Sequence, residues 1–170
     1  MKKISAILLF CTAVFANSLS FKTLESDFIQ TITSNDTNID YYGKFYARED
    51  NKALWIYDKP TPKKIYFDKN RVVVIEDELE QAIISRLENT PNLASILKKA
   101  TRIKDDLYKT KFDDVEYFIA IKNDLPTRID YQDKLGNKIK ILFENAKKDE
   151  AISEEILTPV IPSFYDVINQ

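Results

Sequence analysis

The chain has 170 residues, 44% of them hydrophobic and 31% charged, which fits one soluble globular domain rather than a disordered tail. A net charge of −2, without any lysine or arginine cluster that would track a phosphate backbone, removes nucleic acid as a partner. The absence of histidine removes Ser-His-Asp catalysis and His-ligated zinc, and two glycines cannot build a phosphate-cradling loop.

The N-terminus reads as an export leader. Lys2 and Lys3 form a positive n-region, residues 4–15 an apolar run too short to span a membrane comfortably, and Val14-Phe15-Ala16 a peptidase site. Cleavage after Ala16 is expected, leaving residues 17–170 as one domain and taking the net charge from −2 to −4 by removing two lysines. Cys11 falls in the discarded run. Phe10 before it is too large for a lipid-modified cysteine, so the exported chain carries neither disulfide nor thiol nucleophile.

After the leader, Phe21, Leu24 and Phe28 fit one helical face, while Leu24, Ser26, Phe28, Gln30 and Ile32 fit a strand equally well. The reading adopted is a short helix running into the first strand. Short alternating runs follow at 41–48, 53–58, 64–68, 71–76 and 81–85, joined by short connections. In 53–58, Ala53, Trp55 and Tyr57 fall on one face, with Leu54, Ile56 and Asp58 on the other. Both faces are largely apolar, so periodicity alone does not choose between core and cavity.

Residues 90–102 change period. Thr90-Pro91 reads as N-cap and first helical residue. Leu93, Ile96, Leu97 and Ala100 then recur at helical spacing, with Lys98, Lys99 and Arg102 toward the C-terminal end. A helix of about three turns must dock on something, and the sheet is the available partner. Strand runs resume at 107–112 and 115–122. A hairpin closes the series: Thr127, Ile129 and Tyr131 alternate with polar neighbours, Ile139, Ile141 and Phe143 do the same, and Gly136 between them supplies a positive φ. About ten strands in one sheet must curl strongly or close.

The carboxylate clusters Glu76-Asp77-Glu78, Asp105-Asp106 and Asp113-Asp114 read as solvated turn residues, because no calcium-loop spacing accompanies them. No enzyme is expected, and no cofactor or metal. Nineteen aromatics are Tyr or Phe, many inside strands. Each alone is ordinary core; together they suit a concave face of stiff side chains that resist collapse into a hollow.

The order of these residues resembles the LolA family of periplasmic lipoprotein carriers over nearly all of the exported chain. The resemblance runs through Asp27-Phe28-Ile29-Gln30, Gly43-Lys-Phe-Tyr-Ala-Arg48, Leu54-Trp55 with Pro60, Asp68, Glu80-Gln81 and Asn92 to Ala100. It continues through Leu125-Pro126, Asp133 with Gly136-Asn137, Ile141-Leu-Phe-Glu-Asn145 and Pro162 with Asp166-Val167-Ile168. It implies a mainly β, α+β fold: an incomplete, strongly curled antiparallel β-barrel of about ten or eleven strands covering a hydrophobic cavity, with a helical lid.

The function implied is a periplasmic monomer that takes the acyl chains of lipoproteins from an inner-membrane LolCDE-type transporter. It delivers them to the outer membrane, through a LolB-like acceptor or directly. A lipid or glycolipid carrier and a lipoprotein-sensing regulatory domain are alternative roles for the same architecture. Phe28, Phe45, Ala47, Trp55, Tyr57, Phe67, Leu93, Ile96 and Leu97 are the expected ligand-binding residues. The family also implies a sheet arginine that contacts the closed lid. An ungapped count from Trp55 puts Glu49 there; Arg48, otherwise on the opposite face, takes the role only by a one-residue shift and is the lid-contact candidate.

Overall fold

The computed structural model describes residues 20–68, 70–86 and 92–170. The leader and its cleavage site, and the helix-opening Thr90-Pro91, lie outside the described residues. The strands are β1 (Thr23–Ser34), β2 (Thr37–Arg48), β3 (Ala53–Lys59), β4 (Lys63–Phe67), β5 (Arg71–Glu76) and β6 (Gln81–Arg86). After the helix α1 (Leu93–Lys99) come β7 (Thr101–Lys104), β8 (Leu107–Phe112), β9 (Val115–Lys122), β10 (Leu125–Gln132), β11 (Lys138–Lys148) and β12 (Asp166–Asn169).

The twelve strands of the described residues form one open sheet in the order β12-β6-β5-β4-β3-β2-β1-β11-β10-β9-β8-β7. Chain neighbours pair as antiparallel hairpins within β1–β6 and within β7–β11, and β1 joins these two halves by pairing with both β2 and β11. The chain crosses from β6 to the far edge at β7 by way of α1, and β12 returns to lie parallel to β6.

Turn chemistry explains much of this meander. Asn35 and Asp36, Asp113 and Asp114, and Asn123 and Asp124 each occupy a hairpin turn with two consecutive positive φ angles. Such turns match the right-handed twist of their strands, and Asn and Asp are the non-glycine residues that tolerate them. The carboxylate pair Asp113-Asp114 is therefore turn material, as expected. Gly136, at φ 88°, closes the β10–β11 turn, where Asp133 Oδ1 accepts hydrogen bonds from the N–H groups of Leu135 and Asn137. Register shifts at Glu25/Asp27, Tyr42/Gly43 and Pro126/Arg128 interrupt the ladders in the central strands. Bulges of this kind add local twist and help the sheet curl.

The structure corrects several expectations. The described residues before β1 contain no helix: Leu24, Ser26, Phe28 and Gln30 are buried at strand period, so the extended reading holds and Phe21 packs just ahead of the strand. The lid among the described residues is one helix of seven residues, nearer two turns than three. Arg102 is not at its end but in β7, paired with Asp105. The count rises to twelve because β7 and β12, four residues each and exposed throughout, carry no burial signal.

Alternation sorts the interior into two apolar clusters. The inner one contains Phe28, Phe45, Trp55, Phe67, Ile119, Ile129, Ile141 and Phe143, together with Leu93, Ile96 and Leu97 from α1. The outer one contains Leu54, Tyr66, Val73, Ile75 and Ala82, covered by Leu157, Ile152, Ile161 and Tyr165 from the segment between β11 and β12. The two apolar faces of β3 thus have separate covers.

Gly43 is required by close packing. A Cβ there would stand 1.8 Å from the Ile56 carbonyl oxygen and 3.0 Å from Phe28 Cε1, at the bulge between β2 and β3. Gly43→Ala must push β3 away, and a loss of about 1–3 kcal/mol is expected, as for overpacking elsewhere. Urea unfolding followed by Trp55 emission measures it; an unchanged midpoint would show that β3 yields freely at this point.

Candidate functional site

Phe28 on β1, Phe45 on β2, Trp55 and Tyr57 on β3 and Phe143 on β11 meet on the concave face. Phe28 stands edge-on to Trp55 and Tyr57, with ring centroids 4.8 and 5.1 Å apart, and Phe45 packs against Trp55 at 4.5 Å. Phe143 closes the group at 6.0 Å from Phe45 and 6.5 Å from Trp55. Edge-to-face contacts at these distances hold rings in fixed orientations. Strand register brings them together: Phe28 lies opposite both Gly43 and Phe143, and Phe45 lies opposite Trp55.

Beyond this wall is a cavity of about 160 Å³ lined by Gln30, Trp55, Tyr57, Ile65, Phe67, Leu93, Ile96, Tyr117, Ile129, Tyr131 and Ile141. Its walls come from both halves of the sheet, β3–β4 on one side and β9–β11 on the other, with α1 as the roof. Of the residues named from sequence, Trp55, Tyr57, Phe67, Leu93 and Ile96 line it. Phe28, Phe45, Ala47 and Leu97 are buried in the surrounding apolar cluster. Sequence reasoning did not assign Gln30, Ile65, Tyr117, Ile129, Tyr131 or Ile141 to the site. The alternation of β9, β10 and β11 already marks their inward face, but nothing local says that this face looks across at β3.

Two polar side chains of the cavity satisfy each other. The Tyr57 hydroxyl donates to Gln30 Oε1 at 2.7 Å, which explains why a glutamine can sit buried two residues after Phe28. Tyr117 and Tyr131 pack with centroids 4.7 Å apart. Burial pushes the Tyr57 phenol well above its ordinary range and that of Tyr131 up to about 12, chiefly by desolvation. These groups are neutral at physiological pH, so the cavity contains no charged side chain.

The roof is held at both ends by the turn between β2 and β3. Asn92, just before α1, donates from Nδ2 to the Asn51 carbonyl oxygen at 2.6 Å, and Lys98 Nζ donates to the Glu49 carbonyl oxygen. Lys98 also lies over the Phe21 ring, 5.6 Å from its centroid. Arg48 points elsewhere. Gly43, Phe45 and Ala47 face inward, so Arg48 shares the outer face with Tyr46; there its guanidinium grips both Asp50 oxygens, at 3.0 and 2.6 Å, and reaches Glu154. Lys52 bonds the same Glu154. The guanidinium braces the turn, while two backbone carbonyls of that turn hold the helix. The one-residue shift is not made, and strand period decides the side.

A second hollow, of about 670 Å³, opens on the outer face between Thr31, Thr33, Glu116, Phe118, Asp130, Lys138 and Lys140. An acyl chain laid there would strip water from charged groups without replacing their hydrogen bonds, so the smaller inner cavity is the apolar site. Among the described residues no helix is long and apolar enough to cross a membrane.

Comparison with known proteins agrees with this architecture. Residues 19–117 match the family model described as outer membrane lipoprotein carrier protein LolA. The chain is 37% identical over 169 residues to an outer-membrane lipoprotein carrier protein of Campylobacter jejuni, covering 99% of each chain. It is 34% identical over 160 residues to the protein of the same name from Helicobacter hepaticus, covering 93% of this chain and 89% of that one. A crystal structure of a conserved protein from Thermus thermophilus shares the fold, with a TM-score of 0.58 at 14% identity over 91% of this chain and 94% of the other. The chain belongs to the LolA family of outer-membrane lipoprotein carrier proteins.

Proposed function

We propose that the protein carries the acyl chains of lipoproteins through the periplasm, buried between α1 and the concave face of the sheet. The observation that carries this reading is the uncharged cavity roofed by α1 and walled by Trp55, Tyr57, Phe67, Tyr117 and Ile129. The name shared by its relatives supports the cargo class. A transporter of the LolCDE type is the donor, and an outer-membrane acceptor, LolB-like or the membrane itself, is the recipient.

The energetics demand such a device. Each buried methylene is worth about 0.8 kcal/mol, so one long acyl chain in water costs on the order of 10 kcal/mol. The cavity must enlarge to take one, because about 160 Å³ is less than the roughly 300 Å³ at which pockets begin to hold small ligands. Loading therefore moves α1. Its ties to the sheet include two side-chain hydrogen bonds, worth about 1 kcal/mol each, and the burial of Leu93, Ile96 and Leu97. Incoming acyl groups replace those apolar contacts as the helix lifts, so its side chains stay out of water. Phe28, Phe45, Ala47 and Leu97 form the supporting wall, and the stiff aromatic group keeps the concave face from collapsing in transit.

Two experiments test this. Ile65→Trp fills the hollow from a half-buried position, and the lipoprotein recovered with the carrier from cell envelopes, measured by intact mass, is expected to fall at least about tenfold. Thr31→Trp, which fills the outer groove instead, is expected to leave cargo unchanged; the reverse pattern would move the site to the outer face. A thiol cross-link between N51C and N92C is expected to hold α1 down and block uptake, with the uncross-linked double variant loading normally. Normal loading with the cross-link in place would show that acyl chains enter without lifting the helix.

A further inference from the structure

The two edges of the sheet are built differently. At one edge, β7 reads Thr101-Arg-Ile-Lys104, and charged side chains of this kind are the usual guard against strand addition. At the other edge, β12 reads Asp166-Val-Ile-Asn169, two β-branched residues with no lysine and no proline. Asp166 N–H donates to the Glu80 carbonyl and Gln170 N–H to the Ile84 carbonyl, so alternate residues of β12 face β6. By the same alternation the backbone N–H and C=O of Val167 and Asn169 point away from the sheet. They have no strand partner among the described residues.

Large apolar side chains surround this free edge. Phe164 is 68% exposed, Leu79 64%, Val167 47% and Ile168 41%. They belong to one region, because the Tyr165 hydroxyl donates to Asp77 Oδ1 at 2.9 Å, Phe164 packs on the Tyr165 ring at 5.0 Å, and Asp166 is bonded to Glu80. The charge there is acidic. Glu78, Glu80 and Asp166 are exposed and have no salt-bridge partner among the described residues, while Lys64 is engaged by Asp77.

We propose that the free edge of β12 is a docking strand for an extended, basic segment of another protein, which joins the sheet through backbone hydrogen bonds. Strand addition supplies the affinity, Leu79 and Phe164 take the apolar side chains of the segment, and Glu78, Glu80 and Asp166 select its positive charge. A second copy of this chain is a poor occupant, since pairing β12 with β12 would bring three unpaired carboxylates from each side together. An anionic bilayer is repelled by the same groups and cannot satisfy the backbone donors. The proposal does not depend on what the cavity carries.

The test uses the exported chain and a short peptide of alternating lysine and valine, with a glutamate–valine peptide as its counterpart. Amide exchange is expected to slow at Val167 and Asn169 with the basic peptide only. V167P removes an outward donor at a position where an edge strand tolerates proline and leaves the bonds to β6 intact. It is expected to weaken binding about tenfold, the worth of one hydrogen bond. The charge reversal E78K/E80K, which makes no change to the strand, is expected to switch preference to the acidic peptide. Binding unaffected by both variants would overturn the proposal, as would protection confined to the cavity and α1, or formation of a β12-dependent dimer.

Discussion

Everything in this molecule depends on the period of two along β3. Ala53, Trp55 and Tyr57 face the concave side, and Leu54 and Ile56 face the convex side. A sheet with one wet face would need polar residues at Leu54 and Ile56. Here the segment between β11 and β12 covers them, with Leu157 fully seated among Leu54, Val73 and Ile75. That outer cover lets the inner face be something other than a filled core. With the convex side packed, β3 through β5 are held in place from behind, and the concave side can enclose a hollow at smaller cost in order.

The same arrangement balances grip against release. Burying a Leu or Ile side chain is worth about 1.5–3 kcal/mol, so Leu93, Ile96 and Leu97 together hold α1 down with several kcal/mol. A long acyl chain offers on the order of 10 kcal/mol, and it touches the same side chains that the sheet gives up. On the proposed reading a ligand of comparable apolar content displaces the helix, while a short or polar molecule cannot match what is lost. A longer helix would bury more and open less readily. Seven residues are enough to roof the cavity.

Much of the fold was legible because exposed, two-residue hairpin turns leave a clear alternation on either side. The limits of β5, β8 and β9 agree with the sequence reading residue for residue, and the others shift by a few residues at their ends. The turn between β1 and β2 lengthened β2 backwards to Thr37, where exposed polar residues hide the alternation. β7 and β12 stayed invisible for the same reason: an edge strand of four exposed residues buries no side chain and so leaves no period. The ambiguity at Phe21 and Leu24 was real, since Leu24 and Phe28 satisfy both periods; pairing of β1 with β2 on one side and β11 on the other decided it. The cavity was legible only by half. Trp55 stands in one of the stretches that carry the family resemblance, and Tyr57 and Phe67 lie in the same strand and the one after it. Tyr117, Ile129 and Tyr131 reach the same hollow through curvature, a property of the whole sheet that no local stretch encodes.

Arg48 shows how a role can pass from a side chain to the backbone. A side-chain clasp on the lid would depend on the residue type at one position. Here the helix is tied instead by the carbonyls of Glu49 and Asn51, which any residue supplies, provided the turn keeps its shape. Keeping that shape is what the local charges do: Arg48 grips Asp50 within the turn and, with Lys52, binds Glu154 on the segment that covers the outer face. The guanidinium hydrogen bonds hold the Asp50 carboxyl below its ordinary range, so this brace stays charged across the physiological range. The clasp on the inner face and the cover on the outer face therefore meet in one turn of the chain. Glu154 on the outer segment and Asn92 and Lys98 at the two ends of α1 thus bond to the same five-residue turn, Arg48 to Lys52.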